Sequence, residues 1–483
     1  MSQRPKTKIV CTLGPATKSY DMICQLIESG LAVARLNLSH GSSAEHQELF
    51  RTVRKASDDL EIPVGIMVDI PGPKYRTGPQ SPGDFDLDPG DSVTLTSRDI
   101  TGNPSRLGVY PSGIHNDAVV GGRILVDDGI ITLEVVSVSG QEVECRVVDG
   151  GRITEGRGVT TPGRAPTLPL FDYRGMHGLG FAASSGADFV ALSNITKSED
   201  VYTARQLLHM RGSAPFIISK IETAEAINGF DSILDASDGV MVARGDMGVE
   251  IKMEAVPAEQ KRIISKCNVA GKPVITATQM LESMVDSSQP TRAEVTDVAN
   301  AVYDGTDAIM LSGETSIGKY PDRAVDVMRK VALETESYLD HDRILVEKGL
   351  SSEQQTDDAI SFAAANIANQ MSAGAIVAFT ESGGTARRVS RYRPRPPILA
   401  LTPHESVQRE LTLSWGVNPI IMEPPLTNLE NLFDEAEEQA VSSESLADGD
   451  KLVLTAGTPL GVPGSTNFLY VMNVSVDGEG SSD

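Results

Sequence analysis

Several of the short apolar runs in this chain end in charged side chains. One run ends in Lys220 and Glu222, and the next ends in Arg244 and Asp246. Residues two apart on a strand point to the same side, so Lys220 and Glu222 are expected to face one way, either as a structural ion pair or as working groups. Glu222 and Asp246, at neighbouring strand ends, form a pair of oxygen donors of the kind that Mg²⁺ accepts alongside water and a substrate phosphate.

Other runs also end in side chains that can bind a ligand. These are, in chain order, Arg35, Asn37, Ser39, His40, Asp69, Thr276, Thr278, Ser312 and Glu314. Gly245, which lies between Arg244 and Asp246, would let backbone N–H groups approach a ligand oxygen closely. Four cationic groups are expected to converge on one small site, namely Arg35, Arg76, Lys220 and Arg244. That concentration of positive charge predicts an anionic, phosphorylated substrate.

The elements that must position these side chains are eight short apolar runs, separated by segments of helical periodicity. Most of the runs lack strict alternation, as expected for parallel strands that are covered on both faces. Eight alternating strand and helix units predict a (β/α)₈ barrel, or TIM barrel, in which catalytic groups gather at the carboxyl ends of the strands. The runs span residues 8–13, 32–38, 64–70, 188–193, 216–221, 239–244, 273–278 and 308–313.

One interval interrupts this alternation. Residues 72–170 are rich in Gly, Asp and Val and contain alternating segments, which predicts an all-β domain inserted after a barrel strand, where a lid would belong. After residue 340, a helix from Thr356 and further strands predict an α/β domain. The expected organisation is a barrel domain from residues 1–71 and 171–340, a β-rich lid domain from 72–170, and a C-terminal α/β domain from 341–483.

The composition narrows the classes of function. The 483 residues include 66 acidic and 42 basic ones, and the net charge of −24 opposes binding to nucleic acid or to an anionic membrane. Only 15 of the basic residues are Lys, which favours a halophilic-like acidic surface over that of an ordinary acidic enzyme. No window approaches the roughly 18 consecutive apolar residues of a membrane span. The four cysteines form no C-x-x-C pair. We therefore expect a cytoplasmic protein without nucleic-acid or membrane partners.

Longer segments of the chain resemble the pyruvate kinase family, and they cover the chain in order. The matching segments are TKIVCTLGPAT (7–17), RLNLSHG (35–41), SKIE (219–222), VMVARGDMGVE (241–250), TATQMLESM (276–284), LSGETSIGKYP (311–321), GGTARRVSRYRP (383–394) and TAGTPLGVPGSTN (455–467). The resemblance implies a homotetramer that is dependent on Mg²⁺ or Mn²⁺. It also implies phosphoryl transfer from phosphoenolpyruvate to ADP, the last step of glycolysis, which gives pyruvate and ATP.

The resemblance implies roles for individual residues as well. Lys220 would stabilise the transferring phosphoryl group and the enolate, and Glu222 and Asp246 would hold the divalent metal. Thr278 would stand beside the enolate face, either as the proton donor or next to a water chain. The further implied contacts are Arg35, Arg244, Gly245 and Asp246 for the substrate, Arg76 for the phosphoryl group, and Asn37, His40, Arg76 and Arg174 for the nucleotide.

Several positions depart from the usual family pattern. Lys74 stands where the family usually has an acidic residue, and its ammonium would supply the charge that K⁺ supplies elsewhere, so we expect weak or absent dependence on K⁺. Arg174 stands where many relatives have a Lys, which keeps the charge but changes the geometry. Asn37, Ser39 and Asp69 match three ligands of a monovalent cation site, and Ile70, which stands in place of the family's Thr, can still offer its backbone carbonyl.

A loop of small polar residues in the C-terminal domain is the candidate effector site. It comprises Thr380, Ser382, Gly384 and Thr385 and precedes a helix, a place where anions bind. A sugar bisphosphate, AMP or no effector at all remain open.

Two other functions fit parts of the pattern. A Mg²⁺-dependent aldolase on a barrel would share the acidic pair, but it would need neither the inserted lid nor the RLNLSHG segment. A catalytically silent sensor would require the loss of a catalytic residue, whereas Lys220, Glu222, Asp246 and Thr278 are all present. The sequence therefore favours the kinase.

Overall fold

A closed barrel of eight parallel strands forms the centre of the chain. The computed structural model describes residues 4–81, 83–164, 166–349, 355–422, 429–444, 446–459 and 466–475. Each of the eight predicted runs forms one barrel strand, and the strands pair in a closed ring. They are β1 (Lys8–Thr12), β2 (Leu31–Asn37), β3 (Gly65–Ile70), β13 (Phe189–Leu192), β14 (Phe216–Ile221), β15 (Gly239–Ala243), β16 (Val274–Ala277) and β17 (Ala308–Leu311). The predicted (β/α)₈ class is thereby confirmed.

Helices surround the barrel because each connecting segment turns an apolar stripe toward the strands. Ser42 and Thr291 begin two of them with capping boxes, in which side chain and backbone satisfy each other's free polar groups. The helices are α1 (Tyr20–Glu28), α2 (Ser43–Asp59), α4 (Tyr173–Ser185), α5 (Ser198–His209), α6 (Ala224–Asn228), α7 (Phe230–Ala236), α8 (Arg244–Glu250), α9 (Val256–Ala270), α10 (Arg292–Tyr303), α11 (Gly313–Ser316) and α12 (Pro321–Ser337), with short 3₁₀ turns at Pro15–Thr17, Met253–Ala255 and Glu282–Val285.

The insertion after β3 folds as a second, smaller closed barrel with a core of its own. Seven of its strands close in the order β10-β6-β7-β4-β12-β8-β9, and β5 pairs with β11. Its elements are β4 (Tyr75–Thr77), β5 (Phe85–Leu87), β6 (Ser92–Thr96), β7 (Arg106–Tyr110), α3 (Ile114–Asp117), β8 (Arg123–Val126), β9 (Ile131–Ser139), β10 (Glu142–Asp149), β11 (Gly151–Ile153) and β12 (Gly158–Thr160).

The C-terminal part is a five-stranded sheet with helices on both faces. Its strand order is β20-β19-β18-β21-β22, with only the β21–β22 pair antiparallel. Its elements are α13 (His341–Gly349), α14 (Thr356–Gln370), β18 (Ala375–Phe379), α15 (Gly384–Arg391), β19 (Ile398–Thr402), α16 (Glu405–Leu411), β20 (Val417–Ile421), α17 (Leu429–Glu444), β21 (Lys451–Gly457) and β22 (Thr466–Asn473). Residues 460–465 of the last segment that matched the family lie outside the described residues.

The C-terminal part closes the amino-terminal end of the large barrel. Leu413 is fully buried in the same apolar cluster as Val10, Met67 and Ile275 of the barrel interior. Buried Arg393 donates to Asp307 at 2.8 Å, just before β17. No helix among the described residues is long and apolar enough to cross a membrane. The boundaries expected at residues 71/72, 170/171 and 340/341 stay predictions.

Candidate active site

A large cavity lies between the carboxyl ends of the barrel strands and the inserted lid. It has a volume of about 1000 Å³ and opens to solvent. Ten of the side chains that the sequence singled out line this cavity. They are Arg35, Asn37, Ser39, His40, Lys74, Arg76, Arg174, Lys220, Glu222 and Asp246. Residues from four separate strands and from the lid thus meet at one place, as the barrel topology requires.

Lys220 is the centre of a buried network of charges. Its Nζ lies 2.9 Å from Glu222 Oε1, 3.3 Å from Asp69 Oδ1 and 2.7 Å from Ser193 Oγ. Arg35 binds the other oxygen of Asp69, with both Nε and Nη2 at 2.8 Å. The lysine therefore sits in a fixed position with its charge pointed at the cavity.

The charges of this network shift the pKa values of its members. Burial would lower the pKa of Lys220, but Asp69 and Glu222 raise it above its ordinary value. Burial alone would raise the pKa of Asp69, yet Lys220 and Arg35 hold it below its usual range. Lys220 is therefore a permanent cation at neutral pH, which is suited to binding an anion and unsuited to acting as a base.

Asp246 faces Glu222 from the neighbouring strand end and has a cationic partner of its own. Lys74 Nζ lies 3.1 Å from Asp246 Oδ1 and 3.6 Å from Asp128 of the lid. The recessed position of Asp246 opposes ionisation, but Lys74 and Lys220 hold its pKa below the ordinary value. Burial would lower the pKa of Lys74, and Asp246 and Asp128 together raise it. Lys74 thus links the floor of the cavity to the lid.

The two carboxylates fit a divalent cation. Burial raises the pKa of Glu222, and the charge of Asp246 raises it further against the opposing effect of Lys220, so the two acids lie close enough to repel each other. Within the described part of the chain, no three His, Cys, Asp or Glu side chains are arranged to hold a metal ion. A metal at this pair would therefore need water and substrate oxygens as further ligands, and Mg²⁺ commonly binds to proteins in this way.

Thr278 has a strained backbone next to Asp246 of the acidic pair. Its φ is +68°, in the left-handed region that a β-branched residue rarely adopts. Its Oγ1 donates to the carbonyl of Ala277 at 2.7 Å and accepts from the N–H of Gly245 at 2.8 Å. The N–H of Gly245, which the resemblance assigned to the substrate, is occupied by Thr278 in this structure.

The side chain of Arg244 does not line the cavity with the other cationic side chains. Strand β15 ends at Ala243, and Arg244 is the first residue of helix α8, so its side chain leaves the direction that strand alternation predicts. Its guanidinium donates to Asp297 at 2.8 Å and to the carbonyl of Thr278 at 2.7 Å. The predicted convergence therefore holds for Arg35, Arg76 and Lys220, and Arg244 instead positions the loop that carries Thr278.

The oxygens expected to bind a monovalent cation lie at adjacent strand ends. Asn37 and Asp69 are direct neighbours in the β2–β3 register, and Asn37 Oδ1 accepts from the N–H of Ser39 at 3.1 Å. Ile70 is buried, with its side chain packed beneath Gly178 of helix α4. The contacts that the described residues show for the ammonium of Lys74 are with Asp246 and Asp128, not with these oxygens.

The opposite side of the cavity carries exposed basic and aromatic groups. His40 is exposed at the cavity wall, and Arg174 is exposed on the first turn of α4. Two further residues line the cavity that the sequence did not single out, Tyr173 and His177, whose ring centroids lie 6.3 Å apart. Tyr173 is 85% exposed. The spacing of four residues on a helix, beside Arg174, was the signal in the sequence that placed them on one face.

The candidate effector loop has mixed accessibility. Thr385 is buried, and its hydroxyl shares a hydrogen bond with Thr466 at 2.7 Å. Ser382 is exposed, Thr380 is buried, and Gly384 begins helix α15. Of the two hydroxyls closest to the helix, that of Ser382 is the one at the surface.

Comparison with known proteins agrees with this geometry. The family model for the pyruvate kinase barrel domain matches residues 4–325, and the one for the pyruvate kinase alpha/beta domain matches residues 358–472. The pyruvate kinase of Staphylococcus saprophyticus is 44% identical over 467 residues, which cover 96% of this chain and 80% of that protein. The pyruvate kinase of Geobacillus stearothermophilus is 44% identical over 475 residues, with 97% and 80% covered.

A solved structure extends the comparison to three dimensions. A pyruvate kinase from Cryptosporidium parvum superposes with a TM-score of 0.92 at 36% identity, covering 98% of this chain and 97% of that one. The barrel, the inserted domain and the cavity between them define a TIM-barrel enzyme, and the relatives that it matches make that enzyme a phosphotransferase. The chain belongs to the pyruvate kinase family. Its activity is phosphoryl transfer from phosphoenolpyruvate to ADP, and the aldolase and sensor alternatives are set aside.

Proposed function

We propose that the buried network around Lys220 performs the phosphoryl transfer. Lys220 is held by Glu222 and Asp69 so that its ammonium meets the phosphoryl group and then the enolate oxygen. The charge is already in place before substrate binds, so little reorganisation is needed during the reaction. The position of Lys220, buried and yet directed into the cavity, is the single observation that carries this proposal.

Arg35 and Arg76 bind the phosphate group of the substrate. Arg35 reaches the cavity while anchored to Asp69 and to Thr12 Oγ1 at 2.8 Å. Arg76 lies on β4 of the lid and donates to the carbonyl of Gly156 at 2.8 Å. Because Arg35 belongs to the barrel and Arg76 to the lid, movement of the lid changes the distance between them and so gates the phosphate site.

Glu222 and Asp246 hold Mg²⁺ or Mn²⁺ in this proposal. When bound, such an ion would supply positive charge to the anionic substrate. Lys74 must release Asp246 for the carboxylate to serve as a ligand. The released ammonium then remains nearby as a fixed positive charge, which is the basis for weak or absent dependence on K⁺.

Thr278 stands beside the enolate face and serves as proton donor or as the last contact of a water chain. Its hydroxyl is held by Gly245 and by the carbonyl of Ala277, and Arg244 fixes the same loop from behind. Those contacts hold Thr278 in its strained backbone conformation. Such backbone strain is common at functional sites.

The nucleotide occupies the side of the cavity formed by Asn37, His40, Arg76 and Arg174. Arg174 offers two N–H groups to a phosphate where a lysine would offer a point charge. Tyr173, exposed next to it, supplies a flat surface on which a base stacks.

Three wider features complete the proposal. The protein assembles as a homotetramer in the cytoplasm, and the loop of Thr380, Ser382, Gly384 and Thr385 binds an anionic effector if one exists. The net charge of −24 keeps the protein soluble at high salt concentration. Light scattering after size-exclusion chromatography over a salt series tests the assembly and the salt adaptation together.

The decisive experiment measures pyruvate release from phosphoenolpyruvate and ADP with Mg²⁺ over a salt series. Lys220→Ala is expected to lose about 10³–10⁵-fold in kcat, the range seen when a cation on the transferring phosphoryl group is removed. Lys330→Ala, which removes an exposed lysine on helix α12, is the matched control and should keep full activity. A Lys220→Ala enzyme within tenfold of wild type would contradict the role given to this lysine.

A further inference from the structure

The inserted lid is joined to the barrel by two stretches of chain. The first, residues 71–74, leads from β3 into β4, and the second, residues 161–172, leads from β12 back to α4. Asn194 of the barrel donates to a backbone carbonyl of the first stretch at 2.7 Å, and Glu250 accepts from a backbone N–H of the second at 3.2 Å. The orientation of the lid over the barrel therefore depends on how these two stretches are held.

Asp117 of the lid binds the chain on both sides of this connection. Its carboxylate accepts from the hydroxyl of Tyr75, the first residue of β4, at 2.5 Å. It also accepts from the N–H of Thr167, at 3.2 and 3.0 Å from its two oxygens. Asp117 is only 3% exposed and Tyr75 only 2%, so water does not compete for the bond between them. Asp117 thus fastens the chain that enters the lid to the chain that leaves it.

The surroundings of Tyr75 leave room for its hydroxyl group. The ring belongs to the apolar core of the lid, together with Leu107 and Val109. Gly113, directly before helix α3, has a φ of +146°, and a Cβ at this position would lie 2.8 Å from the hydroxyl oxygen of Tyr75. Only glycine permits both this backbone conformation and this close approach. The lid is therefore built around the bond from Tyr75 to Asp117.

Tyr75 stands between two cationic residues that line the catalytic cavity, Lys74 and Arg76. Neighbouring residues on a strand point to opposite sides, so Arg76 faces the cavity when Tyr75 points into the core of the lid. The guanidinium of Arg76 donates to the carbonyl of Gly156, which also belongs to the lid. The position of Arg76 over the barrel therefore follows the position of β4, which Tyr75 anchors.

We propose that Tyr75 and Asp117 are positioning residues for phosphoryl transfer, because their hydrogen bond fixes the direction of β4 and so places Arg76 at the phosphate group of phosphoenolpyruvate. The inference rests on the proposed role of Arg76 in binding that phosphate. Tyr75 and Asp117 act through Arg76 and do not line the cavity themselves. Without the bond, β4 is free to turn, and part of the binding energy of the substrate is used to order the connection between lid and barrel.

Steady-state kinetics and thermal denaturation of wild type, Tyr75→Phe and Tyr392→Phe test the proposal. Tyr75→Phe removes only the hydroxyl and keeps the ring in the core of the lid. Tyr392→Phe is the matched control, because Tyr392 is fully buried in the C-terminal part of the chain and its hydroxyl donates to Asp358 at 2.7 Å. Both substitutions delete a buried hydrogen bond from a tyrosine to a carboxylate, so both are expected to lower the Tm.

We expect the KM for phosphoenolpyruvate to rise about tenfold in Tyr75→Phe, with kcat within about threefold of wild type, at a temperature well below every Tm. The loss falls on KM because substrate binding then has to order the connection. Tyr392→Phe should keep the wild-type KM in spite of its lower Tm. An unchanged KM in Tyr75→Phe, or an equal rise in both variants, would overturn the proposal.

Arg76→Ala separates this inference from the proposed function on which it rests. If Tyr75 acts through Arg76, the double variant Tyr75→Phe/Arg76→Ala should match the KM of Arg76→Ala to within about twofold, because no guanidinium is left to place. Additive effects in the double variant would refute the inference and leave the role of Arg76 intact. Wild-type kcat and KM in Arg76→Ala would refute the role of Arg76 itself, and the inference with it.

Discussion

Lys74 offers the sharpest test of how this chain departs from its family. Its ammonium lies 3.1 Å from a carboxylate oxygen of Asp246, so the direct Coulomb interaction is about 1.3 kcal/mol at the dielectric constant of water and about 5 kcal/mol at an effective value of 20. The two side chains are 29% and 42% exposed, so solvent screens the interaction energy toward the lower end of that range, at about 1–3 kcal/mol. That corresponds to about 5- to 150-fold in a rate or binding constant.

The perturbation is Lys74→Glu, which replaces the positive charge with a third carboxylate beside Glu222 and Asp246. Wild type should change less than twofold when K⁺ is added to a buffer in which tetramethylammonium is the only monovalent cation. Lys74→Glu should lose about 10- to 100-fold in that buffer, in line with the Coulomb range above, and should regain activity on addition of K⁺. The assay is pyruvate release at constant ionic strength with Mg²⁺ present.

Lys330→Glu is the matched control, since it makes the same change of charge on an exposed helix surface. It should behave as wild type with and without K⁺. The reasoning fails if wild type loses more than tenfold without K⁺, or if Lys74→Glu is insensitive to K⁺.

Three further changes test other parts of the structure. Thr278→Ala leaves the N–H of Gly245 without its acceptor and should lower kcat by about 10²-fold, whereas Thr278→Ser should restore most of it in steady-state assays. Arg393→Met leaves Asp307 buried without its cation and should lower the free energy of unfolding by about 3–5 kcal/mol, seen as a lower Tm; an unchanged Tm would contradict this. Burial raises the pKa of Glu410 to about 7, so between about pH 4.5 and pH 7 the folded state binds a proton that the unfolded state has released. The free energy of unfolding of the wild type therefore falls as pH rises through that range. Glu410→Gln should flatten that slope by at most about 3 kcal/mol in denaturation curves at pH 5 and pH 8, and parallel curves for both proteins would refute it.

Much of the site was predictable because strand ends in a barrel meet at one face. Lys220 lies near the end of β14, Glu222 and Asp246 follow the ends of β14 and β15, and the parallel pairing of those strands brings such positions together. Arg244 shows where this reasoning fails. A one-residue difference in where β15 ends places it on a helix, and its guanidinium then meets Asp297 instead of the cavity.

Other features depended on contacts between residues distant in the chain. The bond from Lys74 to Asp246 spans 172 positions and crosses from the lid connection to the barrel, so no local pattern indicates it. Periodicity describes one element at a time and carries no information on which faces of different domains come together.

The sequence by itself determined the eight barrel strands, the inserted β domain, the C-terminal α/β domain and most of the charged residues of the cavity. Each of these rests on hydrophobic periodicity or on residue type at a strand end, which are local properties. Tertiary structure alone decided the partner of each charge, the strained conformation of Thr278 and the burial that shifts the pKa values of Asp69 and Glu222. Those properties depend on distance and on exclusion of water, which arise only when the barrel closes and the domains pack against it.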